Sequence, residues 1–243
     1  MTSPLTGLQR IDAMPSNARK ALTDNLTDVT RLLELHAEAG GDGPGRRRGL
    51  EVLNKSAIVL LTSYWESYCE DIAEEAIEHI VKHAKSADAL PKTMRKLIAK
   101  ELKEDKNDLA VWLLADDCWR QLLSARLEQF KVARNWNFNT PKPAQVDELF
   151  LDGLGIEKIS DSWTWEKTAA ATARTKLKTF VELRGAIAHR GKGDKSVKKA
   201  DVTNYLELIK RLAAKTGGKV NTHCKSITGK ALYTKTPNAM LTE

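Results

Sequence analysis

The stretch from Leu50 to Ala84, LEVLNKSAIVLLTSYWESYCEDIAEEAIEHIVKHA, decides the fold class. Leu50, Leu53, Ala57, Leu61, Tyr64, Trp65, Tyr68, Ile72, Ala76 and Ile80 recur at three- and four-residue spacing, the period of an α-helix. Val59, Ala73 and Ile77 add apolar content on another face. A helix apolar over so much of its circumference belongs at the centre of a bundle.

The rest of the chain reads the same way on either side of this helix. An earlier helix is predicted from about Ser16, a good N-cap, to Ala39, with Gly40-Gly41 as its stop. GGDGPGRRRG, residues 40–49, is a connector carrying a basic triplet at Arg46, Arg47 and Arg48. Pro91 opens another helix that reaches about Glu104. DLAVWLLADDCWRQLLSARLEQFKV, residues 108–132, reads as one amphipathic helix, and the Asn- and Pro-rich residues 135–145 as a loop. A short helix then ends at Gly153 or Gly155, another runs from about Trp165 to Ala188, and the last clear one from Asp201 to Lys215. No alternating strand pattern or internal repeat occurs. The reading is an all-α bundle in three parts. Residues 1–49 form an N-terminal helix and basic Gly-rich connector, 50–216 the helical domain, and 217–243 a partly disordered C-terminal extension.

Composition narrows the function. Lys and Arg number 39 against 32 acids, a net charge of +7, which favours an anionic partner such as nucleic acid. Cys69, Cys118 and Cys224 are widely spaced with no CxxC pair, which speaks against a zinc cluster or disulfide framework and for reduced thiols in the cytoplasm. The N-terminus lacks the apolar core of a signal peptide, and the run Ala57–Leu61 is far too short to cross a bilayer. No membrane association is expected.

VELRGAIAHRGKGD, Val181 to Asp194, carries the chemistry. Ala170, Ala173, Leu177, Phe180, Val181 and Ala188 fall on one arc of their helix, and Arg184 falls near its middle. A guanidinium there needs an acid partner or a crevice. His189 lies ~140° further round an unbroken helix. The two can converge on one substrate if the helix ends near His189, as Gly191 and Gly193 suggest, or if a second copy supplies the missing group. Cleavage of RNA by its own 2′-hydroxyl needs a proton mover near neutral pH and a fixed positive charge on the phosphorane. Histidine suits the first task and arginine the second. Arg190, Lys192 and Lys195 stand beside them to hold flanking phosphates.

At these residues the chain resembles the HEPN-domain proteins, in particular the RiboL-PSP-HEPN group. The resemblance rests on Arg184-Gly-Ala-Ile-Ala-His189 near the end of a helix, on SAIVLLTSYWESYCEDIAEEAI at 56–77 and on NFNTPKPAQVDELFLDGLGI at 137–156. It implies a helical bundle that dimerises, here with an additional N-terminal helix, and a metal-independent endoribonuclease of toxin or defence type with no cofactor. It carries Arg184 and His189 over as the catalytic pair and points to Glu66 on the central helix as an accessory acid, whose bland reading is a structural salt bridge. RNA and an antitoxin or defence protein are the implied partners. Where many members have Asn after the arginine, Gly185 stands here. Members silenced by adenylylation carry Tyr two residues after the histidine; Gly191 in that place implies that this control is absent. The alternatives are a non-catalytic RNA- or nucleotide-binding module and a structural adaptor in a defence assembly.

Other features have plainer readings. His79 and His83 have the HxxxH spacing of a zinc pair but bring no third ligand; His36 and His223 read as surface or capping residues. Trp136 and Phe138 anchor a loop or stack bases, Trp163 and Trp165 staple the start of the motif helix, and residues 229–243 read as a tail.

Overall fold

The computed structural model describes residues 15–40, 49–137, 140–190 and 196–234. Among the described residues there are seven α-helices: α1 Asn17–Gly40, α2 Glu51–His83, α3 Lys92–Glu104, α4 Trp119–Asn137, α5 Pro143–Leu154, α6 Ala170–Arg190 and α7 Lys199–Thr228. No strand occurs among the described residues, and the protein is an all-α bundle.

α2 lies at the centre, as its all-round apolar pattern dictates, and packs against α1, α4, α5, α6 and α7. Ala57, Ile58, Leu61, Trp65, Ile72, Ala73, Ala76 and Ile80 are sealed from solvent along its length. At about 1.5–3 kcal/mol for each large apolar side chain buried, this one helix contributes much of the driving force for folding. α1 shares the same core through Ala18, Leu22, Leu26 and Val29. Ser16 caps it as expected, its Oγ accepting from Arg19 N at 3.1 Å. A second cap has no local signature: Glu75 of α2 accepts from Asn17 N at 2.8 Å and Ala18 N at 3.2 Å. A carboxylate on the first free N–H groups also favours the helix dipole.

Several boundaries differ from the expectation, and the loop read at 135–145 is shorter, since α4 runs to Asn137 and α5 opens at Pro143. The segment 108–132 is not one helix: a 3-10 turn spans Ala110–Leu114 and α4 begins only at Trp119. Asp105 and Asn107 accept hydrogen bonds from Asn107 N and Leu109 N, which satisfies the backbone locally and competes with helix propagation. Asp116 then turns through a left-handed φ of 49°. The helix expected from Trp165 starts at Ala170 instead, because Trp165 and Thr168 close a tight turn on each other with Lys167 at φ 60°. Trp163, expected to staple the start of α6, is fully buried, meets Trp65 edge-on at 6.1 Å and donates its indole N–H to Thr216 Oγ1 at 2.9 Å.

The last helix does not stop at Lys215. It runs through Gly217 and Gly218 to Thr228, so residue 217, where an extension is expected to begin, lies inside α7. Beyond Gly229, at φ 75°, the chain turns back on the bundle: Asn221 and the backbone of Tyr233 exchange two hydrogen bonds at 3.1 and 3.2 Å. The expected tail is therefore packed as far as Thr234, and residues 235–243 lie outside the described ones.

Candidate functional site

α6 is built to leave the core. Ala173, Leu177, Phe180 and Val181 are buried, but from there the helix rises out of the bundle. Leu183, Arg184, Gly185 and Ile187 are half-buried, while Glu182, Ala186 and Ala188 face solvent. Ala188, expected on the buried arc, is exposed because that arc outruns the core that covers it. Arg184 thus stands on the apolar arc at the point where cover ends.

There it faces α2. Glu66 is half-buried, and burial pushes its carboxyl above the ordinary range while the Arg184 charge pulls it back. The two act on each other through the field; among the described residues neither donates to nor accepts from the other. Arg184 Nε is buried with no hydrogen-bond partner. That is a costly state for a guanidinium, whose planar fork normally meets a carboxylate or phosphate with two donors. The structural salt bridge that served as the bland reading of Glu66 is not formed. The arrangement leaves an arginine with an unpartnered Nε facing a carboxyl whose pKa burial raises.

α6 continues to Arg190, so His189 belongs to its last turn and not to the loop after it. Positions 184 and 189 are then ~140° apart around the axis. The side chains of His189 and Arg190, and Lys192 and Lys195 entirely, lie outside the described residues, as do Arg46–Arg48, Phe138 and the Trp136 side chain.

Asn54 was missed in the sequence. It is buried on α2 and donates from Nδ2 to Val197 O at 2.9 Å, pinning the chain where it returns from the segment after α6. The available signal was a polar residue isolated among Leu50, Leu53, Ala57 and Ile58. A second network fixes the approach to α6: Asp147 accepts from the backbone N and Oγ of buried Ser160, each at 2.8 Å, and Arg174 of α6 donates to Ser160 Oγ and Asp161.

The other four histidines and two of the cysteines have described surroundings; His36, expected at the surface or as a cap, is buried. His79 Nε2 lies 3.2 Å from Thr228 Oγ1 and 3.1 Å from Lys230 O, within the C-terminal turn. His83 stacks edge-on to it at 4.7 Å, and slight burial followed by the Lys230 charge lowers its pKa. Among the described residues no group of three His, Cys, Asp or Glu side chains could hold a metal ion. His223, read as a surface or capping residue, is largely buried, with Nε2 against Leu154 O at 2.9 Å. Cys69 and Cys224 are buried free thiols; burial raises both, Cys224 to about 12, which removes them from thiolate chemistry. No helix among the described residues is long and apolar enough to cross a membrane.

The fold is a helical bundle in which a half-buried arginine near the end of one helix faces an acid on the central helix. The family model for RiboL-PSP-HEPN matches residues 24–221, most of the chain, and the protein belongs to this family. No curated protein and no solved structure matches it. The match begins within α1 and extends into the last turns of α7.

Proposed function

We propose that this protein is a metal-independent endoribonuclease of toxin or defence type, acting in the cytoplasm on RNA. The observation that carries the reading is Arg184, held at the edge of the core with a buried, unpartnered Nε beside a carboxyl raised by burial. A phosphodiester in that position supplies the acceptor that the guanidinium lacks. As the RNA 2′-hydroxyl attacks, negative charge builds on the phosphorane, and a fixed cation in a partly dry site stabilises it. His189 takes the hydroxyl proton or returns one to the leaving 5′-oxygen. Glu66 supports the charge on the cationic side of the site. The products carry a 2′,3′-cyclic phosphate and a 5′-hydroxyl, and no metal or cofactor enters the reaction.

The helical continuation through Arg190 favours the second of the two routes to convergence. With positions 184 and 189 on different sides of α6, a groove shared by two copies brings an arginine of one and a histidine of the other onto one phosphate. Arg190, Lys192 and Lys195 hold the flanking backbone.

The test is cleavage of RNA by wild type, Arg184→Ala and His189→Ala in the presence of EDTA, with product ends analysed. Cyclic-phosphate ends from wild type, lost in both variants, support the reading; equal background from all three refutes it. Wild-type activity per molecule should also collapse on dilution below the dimer dissociation constant, and retention by a monomeric form refutes the shared groove.

One observation favours a second reading, a non-catalytic RNA-binding module. Gly185 follows Arg184 where resembling proteins place Asn, and nothing in the packing requires glycine there, since a Cβ would meet no atom within 4 Å. On this reading RNA binds with an affinity that falls steeply with salt, and no cleavage occurs.

A further inference from the structure

The 3-10 turn at Ala110–Leu114 presents a surface that neither the fold nor the proposed site uses. Seven large apolar side chains stand exposed among the described residues, and five of them, Leu109, Val111, Trp112, Leu113 and Leu114, are in this one stretch. Trp112 is 70% exposed and Leu109 66%. Isolated exposed apolar residues are ordinary, but a contiguous cluster with a tryptophan at its crest marks an interaction surface.

The segment is also held in shape. Ala110 is buried and anchors it; Trp112 N donates to Leu109 O at 3.0 Å, Ala115 N to Trp112 O at 2.9 Å and Cys118 N to Ala115 O at 3.1 Å. Asn107 caps its start, accepting from Leu109 N at 3.0 Å. A preformed knob gives up little conformational freedom on binding.

Charge says what the knob fits. Between residues 105 and 117 there are four aspartates, Asp105, Asp108, Asp116 and Asp117, against Lys106 alone, although the chain as a whole is basic. All four are exposed; Asp117 pairs with Arg120 at 3.6 Å, and Asp108 and Asp116 have no ion pair among the described residues. An acidic rim repels RNA phosphates and anionic lipid headgroups, which disfavours the two partners that an exposed tryptophan in a basic protein first suggests. It attracts lysine and arginine.

We propose that this acid-rimmed knob is a docking surface for a protein partner, an amphipathic helix whose apolar face is edged by basic side chains. Trp112 enters the apolar face, and Asp108 and Asp116 meet its basic margin. Specificity comes from the rim and holding from the tryptophan and leucines. The surface lies on the α3–α4 connection, away from the Arg184 arc on α6, so the inference stands whether or not the protein cleaves RNA.

Its test uses the full chain and fluorescein-labelled synthetic peptides of about 18 residues, one with a Leu/Lys helical pattern and one with Leu/Glu in the same pattern. Anisotropy should report binding of the basic peptide only. Trp112→Ser and Leu114→Ser should each weaken it about tenfold or more, and Asp108→Asn with Asp116→Asn should weaken it and flatten its salt dependence. Because Trp112 is 70% exposed and Leu114 44%, the serine variants should melt within about 2 °C of wild type, which separates docking from folding. Equal binding of both peptides, no binding, or wild-type affinity in the Trp112→Ser variant overturns the proposal. So does Trp112-dependent sedimentation with phosphatidylglycerol vesicles, or self-association abolished by Trp112→Ser, since these assign the knob to a membrane or to a second copy.

Discussion

Two neighbouring glycines in α7 should respond to the same substitution with opposite sign. An interior helical glycine costs ~1 kcal/mol relative to alanine, so Gly→Ala is stabilising wherever the added methyl has room. At Gly218 it has: nothing lies within 4 Å of the Cβ position. At Gly217 the Cβ would stand 2.6 Å from Tyr68 Oη and 3.3 Å from Tyr233 Oη. Tyr68 has no easy retreat, being 2% exposed, stacked on Trp65 at 5.9 Å and donating to Ala213 O at 2.8 Å. Overpacking of this kind costs about 2 kcal/mol, twice the helical gain. Gly218→Ala should raise Tm by about 2–4 °C and Gly217→Ala lower it by a similar amount, for a chain of this length. The decisive control is Tyr68→Phe. Alone it destabilises by ~1 kcal/mol through the lost hydrogen bond; combined with Gly217→Ala it removes the clashing oxygen, leaving Cζ at 4.0 Å. The double mutant should then melt no lower than Tyr68→Phe alone, a coupling of about 2 kcal/mol. Scanning calorimetry of the four variants and wild type measures all of this. Parallel stabilisation by both alanines, or additivity of the Tyr68 and Gly217 changes, would refute the close approach of α2 and α7.

Two further predictions concern the site. Gly185→Asn meets open space and exchanges the poorest ordinary helix former for a better one, so stability should rise by a few tenths of a kcal/mol; a simultaneous gain in RNA cleavage, read on a fluorogenic substrate, would show that the glycine limits activity and not the fold. Glu66 carries a carboxyl whose folded pKa is raised above its unfolded value by burial. The fold therefore favours its protonated form, and the stability this contributes is present below the ordinary glutamate range and lost as pH rises through the raised value. Glu66→Gln should melt like wild type in acid but equal or exceed it at pH 7, and should cleave RNA more slowly; a variant less stable at pH 7 than at pH 4 relative to wild type would contradict the sign.

Much of the architecture was legible in the sequence because helices on a shared core repeat their apolar residues at a fixed local period. That period alone placed α2 at the centre and put Arg184 on an apolar arc. It also stretched two helices too far and one not far enough. The run at 108–132 has a helical pattern, but local side-chain caps at Asp105 and Asn107 and the left-handed Asp116 break it. The last helix is expected to end at Lys215, yet α7 passes through Gly217 and Gly218, and Gly217 is where the Tyr68 hydroxyl comes too close for any side chain. A glycine looks the same in sequence whether it ends a helix or admits a neighbour.

The candidate site divides along the same line. Residue types and spacing, being local facts, bring out the arginine and the histidine five residues on, while Glu66 comes only from the family resemblance. Packing between distant segments settles that α6 outruns the core at Arg184, that its Nε is buried without a partner, and that Glu66 faces it without pairing. Whether an apolar arc is covered depends on what packs against it from elsewhere in the chain. For the same reason a stripe that reads as core at Leu109–Leu114 stands exposed as a knob.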